Sequence, residues 1–438
     1  MLFRKIESVI ENHFKEKSEK ILIVDGARQV GKSYIIRHVG QKLFENYIEI
    51  NLLEDYLKDK LFENAKTVED FYLQVSILAG DKMKDKENTL IFLDEIQAYP
   101  HLLTLLKFLR QDNKFIYIAS GSLLGVSLAN TTSVPMGSIE IVHMRPLDFE
   151  EFLIANGFNS FAIDKLRQNF ENLKSLDENT HNKMLDLFKK YLIVGGLPEA
   201  VNNYLDSFNI YNIRKVQAEI HNFYALDASK YDAENKLKIR RIYDMIPSNM
   251  ENKKKRVMFQ DIENKKGKRA TNYLDEFDYL ITSGIALEVK AVSNPVFPLS
   301  QSSKKNLLKL YLNDVGLLTN ILYKNNINAI LGDEKSINLG SVYESVVASE
   351  LIAHGYELYY YDNKSKGEVD FLIDDHNSLC VVPLEVKSGK DYTVHSALSN
   401  MLSNGDYNVK KGFVLSNARE IFTKNNIIYI PIYFIMFM

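Results

Sequence analysis

Up to about residue 155 the chain alternates short apolar runs with amphipathic stretches, and residues 21–24, 47–51, 90–94, 115–119 and 140–143 read as strands with helices between them. Continuous apolar runs suit parallel strands, because crossover helices cover such a sheet on both faces. The rhythm predicts a doubly wound α/β domain with its ligand at the carboxyl ends of the strands. From 147 to 235 helical periodicity takes over, opened by Leu147-Asp148-Phe149-Glu150-Glu151-Phe152 and broken at Gly195-Gly196-Leu197-Pro198-Glu199. Between 236 and 300 short helices lead to Gly284 and an apolar run over 286–292, which predicts a helix and wing. The last third carries a helical stretch over 341–354, then strands around 370 and 385. Its apolar tail, 427–438, is too short to cross a hydrocarbon core of about 30 Å as a helix and reads as a terminal strand. The predicted boundaries are 1–155, 156–300 and 301–438.

Placed on these elements, one motif dominates. Gly26-Ala27-Arg28-Gln29-Val30-Gly31-Lys32-Ser33 follows the first strand and opens a helix, the arrangement of a P-loop. Its glycines let successive N–H groups turn inward around phosphate oxygens, and the helix adds its positive end. Lys32 supplies a point charge for the β and γ phosphates and Ser33 a hydroxyl for a magnesium ion. The third strand ends in Asp94-Glu95. Asp94 is expected to hold the magnesium, and Glu95 to orient or deprotonate the water that attacks the γ phosphate. Ser120 ends the fourth strand, where a polar side chain can sense the γ phosphate; a plain turn serine is the alternative.

A second constellation lies near the C-terminus: Glu344 on the helix, Asp370 in Gly367-Glu368-Val369-Asp370-Phe371, and Glu385 with Lys387 in Leu384-Glu385-Val386-Lys387. Residues two apart on a strand share a face, so Glu385 can bind a metal while Lys387 sits beside the attacking water. With Glu344 and Asp370 completing the ligands, hard carboxylate oxygens suit magnesium or manganese. This is the logic of a PD-(D/E)XK nuclease. Glu288-Val289-Lys290 repeats the triplet without that context and reads as the polar face of a strand.

Composition adds bounds. A net charge of -3 announces no polyanion partner; the basic residues at Lys253, Lys254, Lys255 and Arg256, and at Lys265, Lys266, Lys268 and Arg269, suit contact with a phosphate backbone, but nearby acids partly cancel them and a solvated charged loop is the commoner reading. Cys380 is the single cysteine, so neither a disulfide framework nor a cysteine-rich zinc site is expected, and a reducing interior suits the chain. The first residues lack the apolar core of a signal peptide.

Taken together, the motifs resemble a family of prokaryotic AAA-type ATPases, in which an AAA_14-like domain precedes a C-terminal domain of unknown function of the 4143 type with a restriction-endonuclease-like core. The resemblance also rests on Phe92-Leu93-Asp94-Glu95-Ile96-Gln97, on Leu310-Tyr311-Leu312-Asn313-Asp314-Val315-Gly316-Leu317-Leu318 and on Tyr343-Glu344. It implies ATP as the nucleotide, a cytoplasmic prokaryotic protein, and a helical and winged-helix segment between the ATPase and nuclease-like modules; DNA, an unknown protein and a second copy of the chain stay open as partners. Many relatives have a Gly-Arg pair where this chain has Met136-Gly137-Ser138, so Arg110, Arg145, Arg240 and Arg241 stand as alternative γ phosphate contacts. Two outputs are open: magnesium-dependent ATP hydrolysis coupled to a nuclease-like module acting on DNA, or a nucleotide-gated interaction switch with a non-catalytic module. A membrane transport ATPase is disfavoured, since no spanning segment and no second P-loop occur.

Overall fold

The computed structural model describes the chain except residues 123, 125–136, 232–235, 253, 254, 333–338, 364 and 390, and the side chains of 228–231, 236 and 304–306. Met136, Lys253 and Lys254 therefore lie outside the described residues. The chain forms two compact units. Met1–Arg145 with Thr282–Gly284 make the first, and Pro146–Ile281 with Ile285–Met438 make the second.

The first unit is built on β1 (Ile21–Asp25), β2 (Asn46–Asn51), β3 (Thr89–Asp94), β4 (Ile116–Gly121) and β5 (Ile139–His143). They form one parallel sheet in the order β2-β3-β4-β1-β5. Every residue of β1 and β3 is buried, as their unbroken apolar runs require of central strands. In β2, at one edge, Ile48 and Ile50 point into the core while Glu49 pairs with Arg37 at 2.6 Å, so the strand alternates. The core on one face gathers Ile23, Ile91, Leu93, Phe71, Leu102 and Leu106 around the sheet. All five predicted strands are present.

The second unit joins a helical layer to an eight-stranded mixed sheet. Its strands are β6 (Ala286–Val292), β7 (Ser303–Leu312), β8 (Tyr359–Asn363), β9 (Gly367–Asp375), β10 (Cys380–Lys387), β11 (Gly412–Ser416), β12 (Phe422–Lys424) and β13 (Ile427–Pro431), in the order β12-β13-β11-β10-β9-β8-β6-β7. This differs from the expected division at 300/301. The strand predicted as a wing, β6, runs antiparallel to β7 and parallel to β8, so one ladder continues from the middle segment into the C-terminal third. Backbone groups on β6 that a separate wing would leave at an edge are satisfied by β8. The apolar tail is also only half a strand: after β13 it closes into a 3-10 turn over Ile432–Phe437, where its side chains are almost all buried.

Three motifs of the second unit meet in its scaffold. Asp148 and Glu151 exchange hydrogen bonds with each other's backbone N–H, at 2.8 and 3.2 Å, a capping box that starts the helix Phe149–Ala155. A Cβ at Gly196 would run into the Leu147 carbonyl oxygen, so glycine is required there. The Gly196 N–H donates to Asp314 at 2.6 Å, and the other carboxylate oxygen of Asp314 caps the helix Val315–Tyr323 through the Leu317 N–H at 3.1 Å. Burial pushes the Asp314 carboxyl up to about 6 against the pull of these backbone donors.

Asp314→Ala leaves both donors without their acceptor inside the fold. It is expected to lower unfolding stability by about 2–4 kcal/mol, read as a fall in the urea midpoint of the transition, whereas Asp314→Asn, which keeps one carbonyl acceptor, loses about half of that.

Candidate nucleotide site and C-terminal acid cluster

The loop after β1 is shaped by its backbone. Gly26 has φ +147° and lies so close to the Met144 carbonyl that a Cβ would collide with it, while Gly31, at φ +98°, leads into the helix Lys32–Leu43. Buried Arg4 braces the loop from outside: it donates to the Val30 carbonyl at 2.9 Å and to the Arg145 carbonyl at 2.5 Å. Lys32 is buried, and its ammonium donates to the carbonyls of Gly26 and Ala27 at 2.8 Å each. Burial lowers its pKa, against the raising influence of Glu95, Asp25 and Asp94.

β3 delivers Asp94 beside this loop. The Ser33 hydroxyl lies 3.0 Å from both Asp94 oxygens, the Ser120 hydroxyl donates to the same carboxylate, and Asn51 Nδ2 stands 3.5 Å away at the end of β2. Burial raises the Asp94 pKa while the serine donors oppose it. Ser33 and Asp94 together present hard oxygens at the carboxyl ends of the strands, a donor set that fits magnesium. Glu95 has a left-handed backbone, φ +56°, which turns it off the strand axis. There it accepts from Gln97 and, at 3.4 Å, from Ser122. Gly26, Lys32, Ser33, Asp94, Glu95 and Ser120 are thus brought to one end of the sheet, with Ala27, Arg28, Gln29, Val30 and Gly31 forming the loop.

The arginine candidates separate. Arg110 binds the Glu19 carbonyl at 2.9 Å, ahead of β1 and so at the opposite end of the strands from the loop. Arg145 follows β5 and is half-buried; desolvation lowers its pKa against the charge of Asp25. Asp25, the last residue of β1, is itself buried and faces His143 at 3.2 Å. Arg240 and Arg241 lie on the helix Lys236–Glu251 of the second unit, Arg240 beside Asp244 at 3.5 Å and Arg241 beside the Ile262 carbonyl at 3.4 Å.

In the second unit the helix Gly340–Ala353 is apolar around its circumference and buried over most of its length against the sheet. It carries Glu344 toward β7, β9 and β10. Glu385 and Lys387 share a face of β10, with the ammonium 2.7 Å from Glu385 Oε1. Asp370, on neighbouring β9, accepts the Val386 N–H at 2.8 Å. Burial raises the pKa of Asp370, with the charges of Glu385 and Glu344 adding to it; burial likewise raises that of Glu385, against Lys387. The four expected residues are therefore together.

Among the described residues no three His, Cys, Asp or Glu side chains are grouped to hold a metal ion. Lysines take the cationic places instead. Lys255 pairs with Glu344, whose other oxygen is 3.3 Å from the Tyr311 hydroxyl. Lys309, fully buried on β7, donates to Glu368 at 2.5 Å and lies 4.6 Å over the Tyr360 ring. Burial works against its charge, but Glu344, Glu368 and Asp370 outweigh that and raise its pKa. The second triplet, Glu288 and Lys290, pairs at 3.4 Å on β6 of the same sheet. Arg4, Gln97, Ser122, Lys255 and Lys309 are not among the site residues expected from sequence; each acts on a partner distant in the chain or beside a motif, and no local spacing marks it.

Residues 18–153 match the AAA domain family AAA_14, residues 185–328 match a domain of unknown function, DUF8612, and residues 339–435 match another, DUF4143. No curated protein matches the chain. Among solved structures, a Walker-type ATPase of Pyrococcus abyssi is similar at 15% identity and a TM-score of 0.45, over 73% of this chain and 95% of that one. The ORC1 protein of Aeropyrum pernix in complex with DNA is similar at 14% identity and a TM-score of 0.34, over 75% and 94%. No described helix is long and apolar enough to cross a membrane. The P-loop, the acid at the end of β3 and the matched models agree: the chain carries an AAA-type P-loop ATPase domain, followed by DUF8612 and DUF4143 domains.

Proposed function

We propose that the chain is a magnesium-dependent ATP hydrolase whose nucleotide cycle controls the module carrying the C-terminal acid cluster. The observation that carries this reading is the meeting of Lys32, Ser33, Asp94 and Ser120 at the carboxyl ends of β1, β3 and β4. Ser33 and Asp94 would hold magnesium, which when bound neutralises charge on the β and γ phosphates. Triphosphate oxygens would draw the Lys32 ammonium from the Gly26 and Ala27 carbonyls, opening the loop around the phosphates. Gln97 and Ser122 hold the Glu95 carboxylate in place to orient the attacking water and accept its proton.

Phosphate release by the full chain tests this. Lys32→Ala is expected to abolish ATP binding, and Glu95→Gln to keep binding while hydrolysis falls by about 10²–10⁴-fold. Unchanged hydrolysis in Glu95→Gln would remove Glu95 from the proton transfer.

For the output, a nuclease-like module acting on DNA is favoured by one specific arrangement, Lys387 paired with Glu385 beside Asp370 on the adjacent strand. The competing output is a nucleotide-gated interaction switch, in which the same acids and lysines stabilise a binding surface. Release of labelled fragments from supercoiled, linear and single-stranded DNA, with magnesium or manganese and with or without ATP, separates the two. Cleavage lost in Asp370→Ala is expected for the first; absence of cleavage beside intact ATP hydrolysis supports the second.

A further inference from the structure

Residues 255–257 form a strap over the acid cluster, entirely within the second unit. The helix before it, Lys236–Glu251, ends with Glu251 accepting the Ser341 hydroxyl at 2.5 Å. Lys255 then pairs with Glu344, and Arg256 with Asp362, its guanidinium 5.6 Å from the centre of the Tyr360 ring. The Val257 N–H donates to the Leu308 carbonyl of β7 at 3.2 Å. In the same cluster as Glu344, Glu385, only 7% exposed, keeps one carboxylate oxygen, Oε2, buried with no hydrogen-bond partner among the described residues. A buried carboxylate oxygen in that state calls for a donor or a cation.

We propose that Lys255 is a displaceable counter-ion that keeps this cluster closed to divalent cations, and that an ion of the magnesium or manganese class binds Glu344, Asp370 and Glu385 when the strap lifts. The inference rests on the nuclease-like reading of the same residues. The Lys255 ammonium and a divalent ion compete for the same Glu344 oxygen and repel each other at contact distance, whereas Lys387 sits on Glu385 Oε1 and leaves Oε2 open. Removing Lys255 without replacement would leave a buried charge unpaired, so the exchange of one cation for another is the low-cost route. The neighbouring lysines are placed for other work. Lys309 has no exposed surface and is held by Glu368 and the Tyr360 ring, whereas the Lys255 side chain keeps 16% of its surface in solvent. Its backbone is left-handed, φ +48°, a conformation a lysine leaves readily once its ion pair is broken.

Manganese binding by the nucleotide-free full chain, followed by water-proton relaxation, tests the proposal without any assay of cleavage. Lys255→Met keeps the aliphatic stem and removes the charge; it is expected to bind manganese roughly tenfold more tightly than the unaltered chain, while Lys255→Arg does not. Adding Glu385→Gln to Lys255→Met should erase the gain, which places it at the cluster and away from Ser33 and Asp94. Lys255→Gln gives the same comparison if the methionine variant melts early. Equal affinity in the unaltered chain and Lys255→Met, still sensitive to Glu385→Gln, would overturn the strap and leave the acid site standing. No manganese binding sensitive to Glu385→Gln in any variant would overturn both.

Discussion

A carboxylate taken out of water must be met by donors or by a cation, and both units are organised around that requirement. In the first, Asp94 ends a strand buried along its whole length, and two serines and an asparagine from three other elements converge on it. In the second, Asp314 collects backbone N–H groups from two helix starts, and the cluster around Glu344 collects lysines. The apolar strands set where these acids can be, and the donors decide what each can do.

That division of labour separates scaffold from chemistry among motifs that look alike on paper. The stretches around Asp148, Gly196 and Asp314 are as distinctive in sequence as the P-loop, yet their polar groups are spent on capping and on one another. The P-loop and Asp94 instead pair through groups that a phosphate or a hard cation can take over, a lysine on carbonyls and hydroxyls on a carboxylate.

The sheet of the first unit was legible because its strands are continuous apolar runs and its chemistry sits at their ends, so one pass along the chain finds both. Glu385 and Lys387 were legible for a similar reason, since a two-residue spacing on a strand fixes a shared face. Arg4, Lys255 and Lys309 were not, because what makes each matter is a partner 26, 89 or 59 positions away. The sheet that runs across 300/301 was hidden on the same ground: the pairing of β6 with β8 spans about 70 residues of sequence, and nothing in the run over 286–292 distinguishes a wing from a strand of a larger sheet.

The continuous ladder from β7 to β12 has a practical corollary for anyone dividing the chain. A fragment beginning after residue 300 would keep β8 but lose β6, baring along Tyr359, Tyr360 and Tyr361 a row of N–H and C=O groups flanked by aromatic rings. Such an open, apolar strand edge is a template for pairing with other copies, so the fragment would tend to self-associate through a surface that the intact protein never presents.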